Sequence, residues 1–413
     1  MSALPEMPIS RVARSIPEAL SIYMNQLVYD ERRKGRDVTV LSLGEAYFDI
    51  PMFDFTSLDF VKGYHYSDSQ GIPELRRKIA EFYLRQYQAR VDADREILVS
   101  AGSKVIIYLA MQAVIDRGEE ILIHEPAWLS YQEQARIVGA APRFIPFDCP
   151  VEEFARHIGP RTRMIVLNNP NNPAGRLYTE RELAHLHAVC RPRGVYILVD
   201  EAYSDFIADE AFTSMARIVP DKDGVIVVNS LSKNMGMSGW RVGYAIAAPP
   251  VIQALLRLNQ HTLTCAPTVL LLYMARYFDE VIAITLPQAR EVVAKRARLG
   301  RFIDHIGLRR LPGSCTFYFF VAIDPFPGTD IELALHLLYH HQIATAPGSA
   351  YGDSTRRFLR ISVGAESEER IRDALSVIQE VITGEDFDRA ALERTLDRER
   401  VHRFVPPQRE EVA

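Results

Sequence analysis

The sequence predicts an α/β fold built on a mainly parallel sheet with helices packed on it. Three observations carry that expectation. Short apolar, β-branched runs recur at residues 97–100, 121–124, 164–167, 194–199, 224–228 and 242–248. Stretches with helical spacing alternate with them, and such alternation closes most simply into parallel strand pairs. The length, 413 residues, exceeds one average domain, so two closely packed domains are expected.

Composition narrows the function classes. Hydrophobic residues make up 48%, enough for a sizeable core, and the formal net charge is −5. That balance argues against nucleic acid as a main partner. No apolar run nears the roughly 18 residues of a membrane span. The longest lies near residues 269–275. The N-terminus shows no apolar core of signal-peptide length. Cys149, Cys190, Cys265 and Cys315 are far apart and lack metal-ligand spacing. A reduced, cytoplasmic protein without disulfides or metal is expected.

In chain order, residues 19–33 carry the helical spacing of Ala19, Ile22, Tyr23 and Leu27, and Gly35 stops that helix. Residues 38–44 read as a strand entering a turn. Pro73 and Glu74 open a further helix. The strand at 97–100 runs into Ala101-Gly102-Ser103-Lys104, the start of a helix to about residue 116. Backbone N–H groups at such a start, left uncovered by glycine, attract anions. Residues 120–145 read as strand, turn, helix, strand, with Glu125-Pro126-Ala127-Trp128 in the turn. The strand at 164–167 ends in Asn168-Asn169-Pro170-Asn171-Asn172-Pro173-Ala174-Gly175, a turn-forming run. Thr179 then gives a capping-type helix start. Residues 194–199 lead into Asp200-Glu201-Ala202-Tyr203. A carboxylate ending a buried strand is costly unless it is paired.

The strand at 224–228 enters the stretch around which the chain is organised, residues 229–244. Ser230, Ser232 and Lys233 sit in a small-residue turn, and Arg241 follows Lys233 by eight positions. A lysine amine forms a Schiff base with an aldehyde. Hydroxyls and a guanidinium hold a phosphate. Together these needs point to pyridoxal 5′-phosphate. Residues 249–261 read as a helix, and residues 259–273 contain no Arg or Lys. Residues 281–306 read as a long helical stretch, with Pro287 a candidate fresh start. A strand at 315–321, a helix at 330–341, a strand at 358–362 and a last packed helix at 366–382 follow. From Gly384 the chain is charge-rich, and a peripheral helix and tail are expected.

Residues 229–244 resemble the cofactor-lysine signature of the class I/II aminotransferases, the fold-type I pyridoxal-phosphate family. Further motifs occur in the family's order: Leu43-Gly44-Glu45, Tyr66 five residues before Gly71, the Gly102–Lys104 turn, Trp128, the Asn-Pro run, Asp200, and Arg360 after Pro347-Gly348. The resemblance covers about residues 10–382. It implies a large cofactor domain over 48–285 and a small α/β domain from residues 1–47 and 286–384. Residues 385–413 would be a charged extension. It also implies a homodimer with shared active sites.

The resemblance assigns roles residue by residue. Lys233 holds the cofactor as an aldimine and then acts as base, with Asp200 and Tyr203 as the other catalytic groups. Asp200 pairs with the ring nitrogen, Trp128 stacks on the ring, and Asn172 and Tyr203 bond its phenolic oxygen. Gly102, Ser103, Lys104, Ser230, Ser232, Arg241 and a Tyr66 reaching in from the partner subunit hold the phosphate. Gly44, Asn172 and Arg360 face the substrate, with Arg360 gripping the α-carboxylate. The implied reaction is ping-pong transfer of an amino group from an α-amino acid to a 2-oxo acid.

Elimination, decarboxylation and oxidation use the same apparatus and stay open, as does a specialised biosynthetic substrate. A non-catalytic pyridoxal-phosphate-binding module is a further alternative. The intact Lys233, Asp200, Asn172 and Arg360 argue against it. Three positions depart from the family pattern: Ala46 for proline, Ala174 for threonine and Cys315 for glycine. The uncharged 259–273 stretch, with Tyr23, Tyr47, Phe48 and Tyr131 as expected lining, implies a substrate side chain other than a simple carboxylate.

Overall fold

The computed structural model describes residues 7, 9–208, 212–385, 387–402 and 404. Twelve strands are formed in chain order: β1 (Thr39–Val40), β2 (Ile97–Ser100), β3 (Glu120–His124), β4 (Ala141–Ile145), β5 (Thr162–Asn168), β6 (Tyr196–Asp200), β7 (Val225–Ser230), β8 (Gly243–Ala247), β9 (Tyr318–Ala322), β10 (Ile343–Ala344), β11 (Ala346–Pro347) and β12 (Phe358–Ser362).

The large sheet runs β2-β8-β7-β6-β5-β3-β4. All its pairings are parallel except those of β8, which runs against both β2 and β7. Every residue of β2, β7 and β8 is buried. A sheet covered on both faces needs continuous apolar strands, which explains the unbroken runs in the sequence. One covering helix, Ser103–Val114, buries Ile106, Ile107, Leu109, Ala110 and Met111. Asn168, Asp200 and Ser230 are the last residues of β5, β6 and β7. The chemistry-bearing side chains thus collect at the carboxyl ends of parallel strands, where open α/β sheets bind ligands.

A second, three-stranded antiparallel sheet has the order β11-β12-β9. Beside it β1 pairs with β10, so the two ends of the chain meet in parallel. Helices Leu20–Arg33, Asp330–His341 and Glu368–Thr383 share a core with this sheet.

Two sequence expectations are corrected here. The strand expected at 38–44 is reduced to Thr39–Val40. The backbone beyond it serves the site instead: the Ser42 and Gly44 carbonyls accept from Arg360 and Lys233. Pro287 does not start a new helix, because helix Thr268–His305 runs through it. Burial of Val281, Ile282, Thr285, Ala289 and Val292 outweighs the local cost of proline. The break falls at Tyr277, with φ −114° and ψ 17°. Its hydroxyl donates to the Asp54 carbonyl at 2.8 Å.

The charged extension forms helix Arg389–Arg398, which buries Leu392, Thr395 and Leu396. Glu399 then bonds Lys34 at 2.8 Å and Arg36 at 2.9 Å. Residues 386, 403 and 405–413 of the extension lie outside the described residues. Among the described residues no helix is long and apolar enough to cross a membrane, and no group of three potential ligands is arranged to hold a metal.

Candidate active site

The site is built on three strand ends. At the end of β6, Asp200 is buried. Its Oδ2 accepts from the Tyr131 hydroxyl at 2.7 Å and its Oδ1 from the Ala202 N–H at 3.0 Å. Burial pushes its pKa up, while these two donors and nearby Lys233 pull the other way. At the end of β5, Asn168 donates to the Asp200 carbonyl at 2.8 Å and accepts from the Asn172 N–H at 2.6 Å. This ties the Asn-Pro turn to β6. Asn172 in turn donates to the Tyr203 hydroxyl at 3.3 Å, and Tyr203 bonds the Tyr318 hydroxyl at 2.9 Å.

At the end of β7, the Ser230 hydroxyl accepts from the Ser232 N–H at 3.1 Å and donates to the Ser232 hydroxyl at 2.8 Å. That cap starts the single turn Leu231–Asn234, which carries Lys233. The next residue, Asn234, donates to buried Asp205 at 2.8 Å, and Tyr87 donates to the same carboxylate at 2.7 Å. The turn therefore has little freedom. The Lys233 amine donates to the Gly44 carbonyl at 2.5 Å and stands 5.7 Å from the centre of the Tyr203 ring. Burial pushes its pKa down to about 8, helped by Arg360 and Arg241 and opposed by Glu45 and Asp200.

Sheet register assembles the neighbouring cradle. Gly243 of β8 pairs with Ser100 on one side and Ser230 on the other. A Cβ on Gly243 would lie 2.5 Å from the Ser103 nitrogen. Gly102 has φ 92°, and a Cβ there would lie 2.6 Å from the Arg241 guanidinium. Arg241 thus packs onto the start of helix Ser103–Val114, and the Ser230 hydroxyl lies 3.5 Å from the carbonyl of the next residue, Val242. Trp128 meets Tyr131 edge-on at 5.3 Å. The Lys104 amine lies over the Trp128 ring, 5.1 Å from its centre. Its pKa is lowered by burial and by the charge of Arg241.

Arg360, in the middle of β12, is buried. It donates to the Ser42 carbonyl at 2.6 Å and to the Asn172 side-chain oxygen at 3.3 Å. Tyr318 and Tyr351 flank it, with ring centres 4.6 and 5.2 Å from its guanidinium carbon. Its Nε is buried with no hydrogen-bond partner among the described residues. An unmet cationic donor in such a place suits an incoming carboxylate. Tyr66 is 85% exposed.

The residues fit a cofactor with a phosphate at one end and a protonated ring nitrogen at the other. The Gly102 helix start and Arg241 meet the first need. Buried Asp200, whose neutral donors do not fully offset its desolvation, meets the second. Lys233 stands among them.

Part of the expected substrate lining is corrected. Tyr23 faces the C-terminal segment, donating to the His402 carbonyl at 2.6 Å and packing 5.6 Å from Phe404. Tyr131 is buried, and its hydroxyl is spent on Asp200. Phe48 packs on Phe206 at 6.2 Å, and Tyr47 is exposed. Sequence reasoning missed Tyr318 and Tyr351, since a strand tyrosine and a loop tyrosine carry no local signal of an arginine between them.

Comparison with known proteins gives the chain's relatives. The family described as aminotransferase class I and II matches residues 39–378. A probable aspartate/prephenate aminotransferase of Aquifex aeolicus is 32% identical, over 85% of this chain and 92% of its own. Among solved structures, aspartate aminotransferase from Thermus thermophilus with maleate superimposes with a TM-score of 0.82 at 27% identity, covering 91% of this chain and 100% of that one. An aromatic aminotransferase from Pyrococcus horikoshii gives a TM-score of 0.76 at 26% identity, covering 86% and 98%.

Proposed function

The chain belongs to the class I and II aminotransferase family, whose members work with pyridoxal 5′-phosphate, and from that premise we propose how its residues divide the work. The chain is an aminotransferase. The observation that carries the assignment of roles is the meeting of Lys233, just after β7, and Asp200, at the end of β6, with Arg360 of β12.

Gly102, Ser103, Ser230, Ser232 and Arg241 hold the cofactor phosphate, joined by Lys104 and a Tyr66 reaching in from a partner subunit. Asp200 holds the proton on the ring nitrogen, Trp128 covers the ring, and Asn172 and Tyr203 bond the phenolic oxygen. Bound there, the cofactor supplies an aldehyde and a ring that takes up the electron pair of the broken Cα–H bond. Arg360 takes the α-carboxylate of the amino acid, with Asn172 and Gly44 beside it. Its charge fixes which bond at Cα faces Lys233. With a pKa near 8, the Lys233 amine has a neutral fraction at physiological pH and can move a proton at Cα. The same groups serve the return half-reaction with a 2-oxo acid.

The sheets support a large cofactor domain over 48–285, a small domain from 1–47 and 286–384, and an added extension over 385–413. The four free cysteines support a reducing, cytoplasmic setting.

For the substrate we propose an α-amino acid whose side chain is not a simple carboxylate, on the absence of Arg and Lys from residues 259–273. A second reading, a dicarboxylic amino acid, is favoured by the aspartate named in several relatives. Single-turnover mixing with a panel of amino acids separates the two. The first reading expects at least one aromatic, aliphatic or basic amino acid to bleach the visible band within tenfold of aspartate. Aspartate more than tenfold ahead of all of them selects the second. Each reactive amino acid should yield its 2-oxo acid mole for mole. Ammonia release or oxygen uptake instead would overturn the transaminase reading.

Exposure of Tyr66, and of Val61 and Tyr64 close by, supports a homodimer with shared sites. Mixed Tyr66→Ala and Lys233→Ala chains should regain activity, because hybrid dimers then hold one site with both residues native. Mixtures as inactive as either parent would place Tyr66 within its own subunit.

A further inference from the structure

Glu125 sits three residues before Trp128, at the end of β3, and is 2% exposed. Its backbone N–H is fixed to the Ile145 carbonyl at 2.9 Å. Its carboxylate crosses from the large sheet to the loop at residues 348–355. There it accepts from the Asp353 N–H, the Ser354 N–H and the Ser354 hydroxyl. The loop lies directly on the carboxylate, and a Cβ on Gly352 would overlap it. Two residues on, the Ala127 N–H donates to the Tyr351 carbonyl at 2.8 Å. Thr355 closes the loop by donating to the Gly348 carbonyl at 2.9 Å and the Gly352 carbonyl at 3.0 Å.

This contact has a consequence for the site. Tyr351, inside the clasped loop, flanks Arg360 at 5.2 Å and packs on Phe320 at 5.8 Å. Trp128 follows β3 of the large sheet and Arg360 lies in β12 of the small one, and Glu125 ties together the loops leading to both. A buried carboxylate is costly in an apolar setting. Three converging donors offset that cost and hold the loop in one place.

We propose that Glu125 is a positioning residue for substrate recognition. Its carboxylate sets the distance between the Trp128 face and the Arg360–Tyr351 pair, and so tunes the grip on the substrate carboxylate. This rests on the function proposed above, in which Arg360 receives that carboxylate.

The test compares two substrates that differ only in the carboxylate: the fastest amino acid of the panel and the amine formally derived from it by decarboxylation. In Glu125→Ala the buried loop donors lose their acceptor, so the rate ratio of amino acid to amine should fall about tenfold. Glu125→Gln, which keeps the shape and one acceptor oxygen, should fall less. KM for the amino acid should rise with little change in kcat. In an Arg360→Ala background the Glu125→Ala change should leave the ratio unaltered. Amide exchange at Asp353 and Ser354 should quicken, while β5, β6 and β7 keep their protection. A ratio unchanged in Glu125→Ala, or amino acid and amine slowed equally, overturns the proposal and leaves the function standing. A wild type that reacts with no amino acid overturns the function and this proposal with it.

Discussion

Lys233→Ala is expected to lose both the visible absorbance of the bound cofactor and turnover. The amine is the nucleophile toward the cofactor aldehyde and the base at the substrate Cα, and removing a positioned base alone commonly costs about 100- to 10,000-fold. The Lys104 amine is not set to replace it, since it lies over the Trp128 ring. The same group sets a pH dependence. Burial lowers its pKa to about 8, so it is protonated and unreactive below that pH and free above it. Cofactor uptake by wild-type apo-protein, followed by absorbance, should therefore rise with a midpoint near pH 8. A midpoint near the ordinary lysine value of roughly 10.4 would show that the amine is not in the environment described. A Lys233→Ala chain turning over at the wild-type rate would refute its role.

Asp200→Ala should slow the reaction by roughly 100- to 1000-fold, about 3–4 kcal/mol, while the cofactor stays bound through its phosphate. The carboxylate is buried, held by Tyr131 and Ala202, and close to Lys233. Losing it removes the fixed charge that keeps the ring nitrogen protonated. The cradle at Gly102, Ser230 and Arg241 is untouched. Single-turnover kinetics with cofactor content measured in parallel separates the two effects. A loss under about threefold would make Asp200 a structural cap on the Ala202 N–H.

Much of this was legible because local signals and tertiary needs coincide. The unbroken runs of β5, β6 and β7 are apolar because both faces are covered, and each ends in a polar residue at the site. Gly102 and Ser230 stood out by turn chemistry, and gained a role only beside the lysine stretch at residues 229–244. Residues whose roles depend on long-range packing could not. Tyr131 and Asp200 are 69 positions apart, and Arg360 and Ser42 are 318 apart. Tyr23 shows the opposite failure: its helical spacing was right, but its hydroxyl is taken by the His402 carbonyl, 379 positions on. At Pro287 the burial of a 38-residue helix overrode a strong local signal.

The central claim is that Lys233 carries the cofactor at the end of β7. Borohydride reduction of the cofactor-loaded protein, followed by peptide mass mapping, tests it most directly. The account predicts one equivalent of reduced cofactor on the peptide containing Lys233, with none on Lys104 or elsewhere. Label on another lysine, or a visible band that survives reduction with Lys233 unmodified, would contradict it.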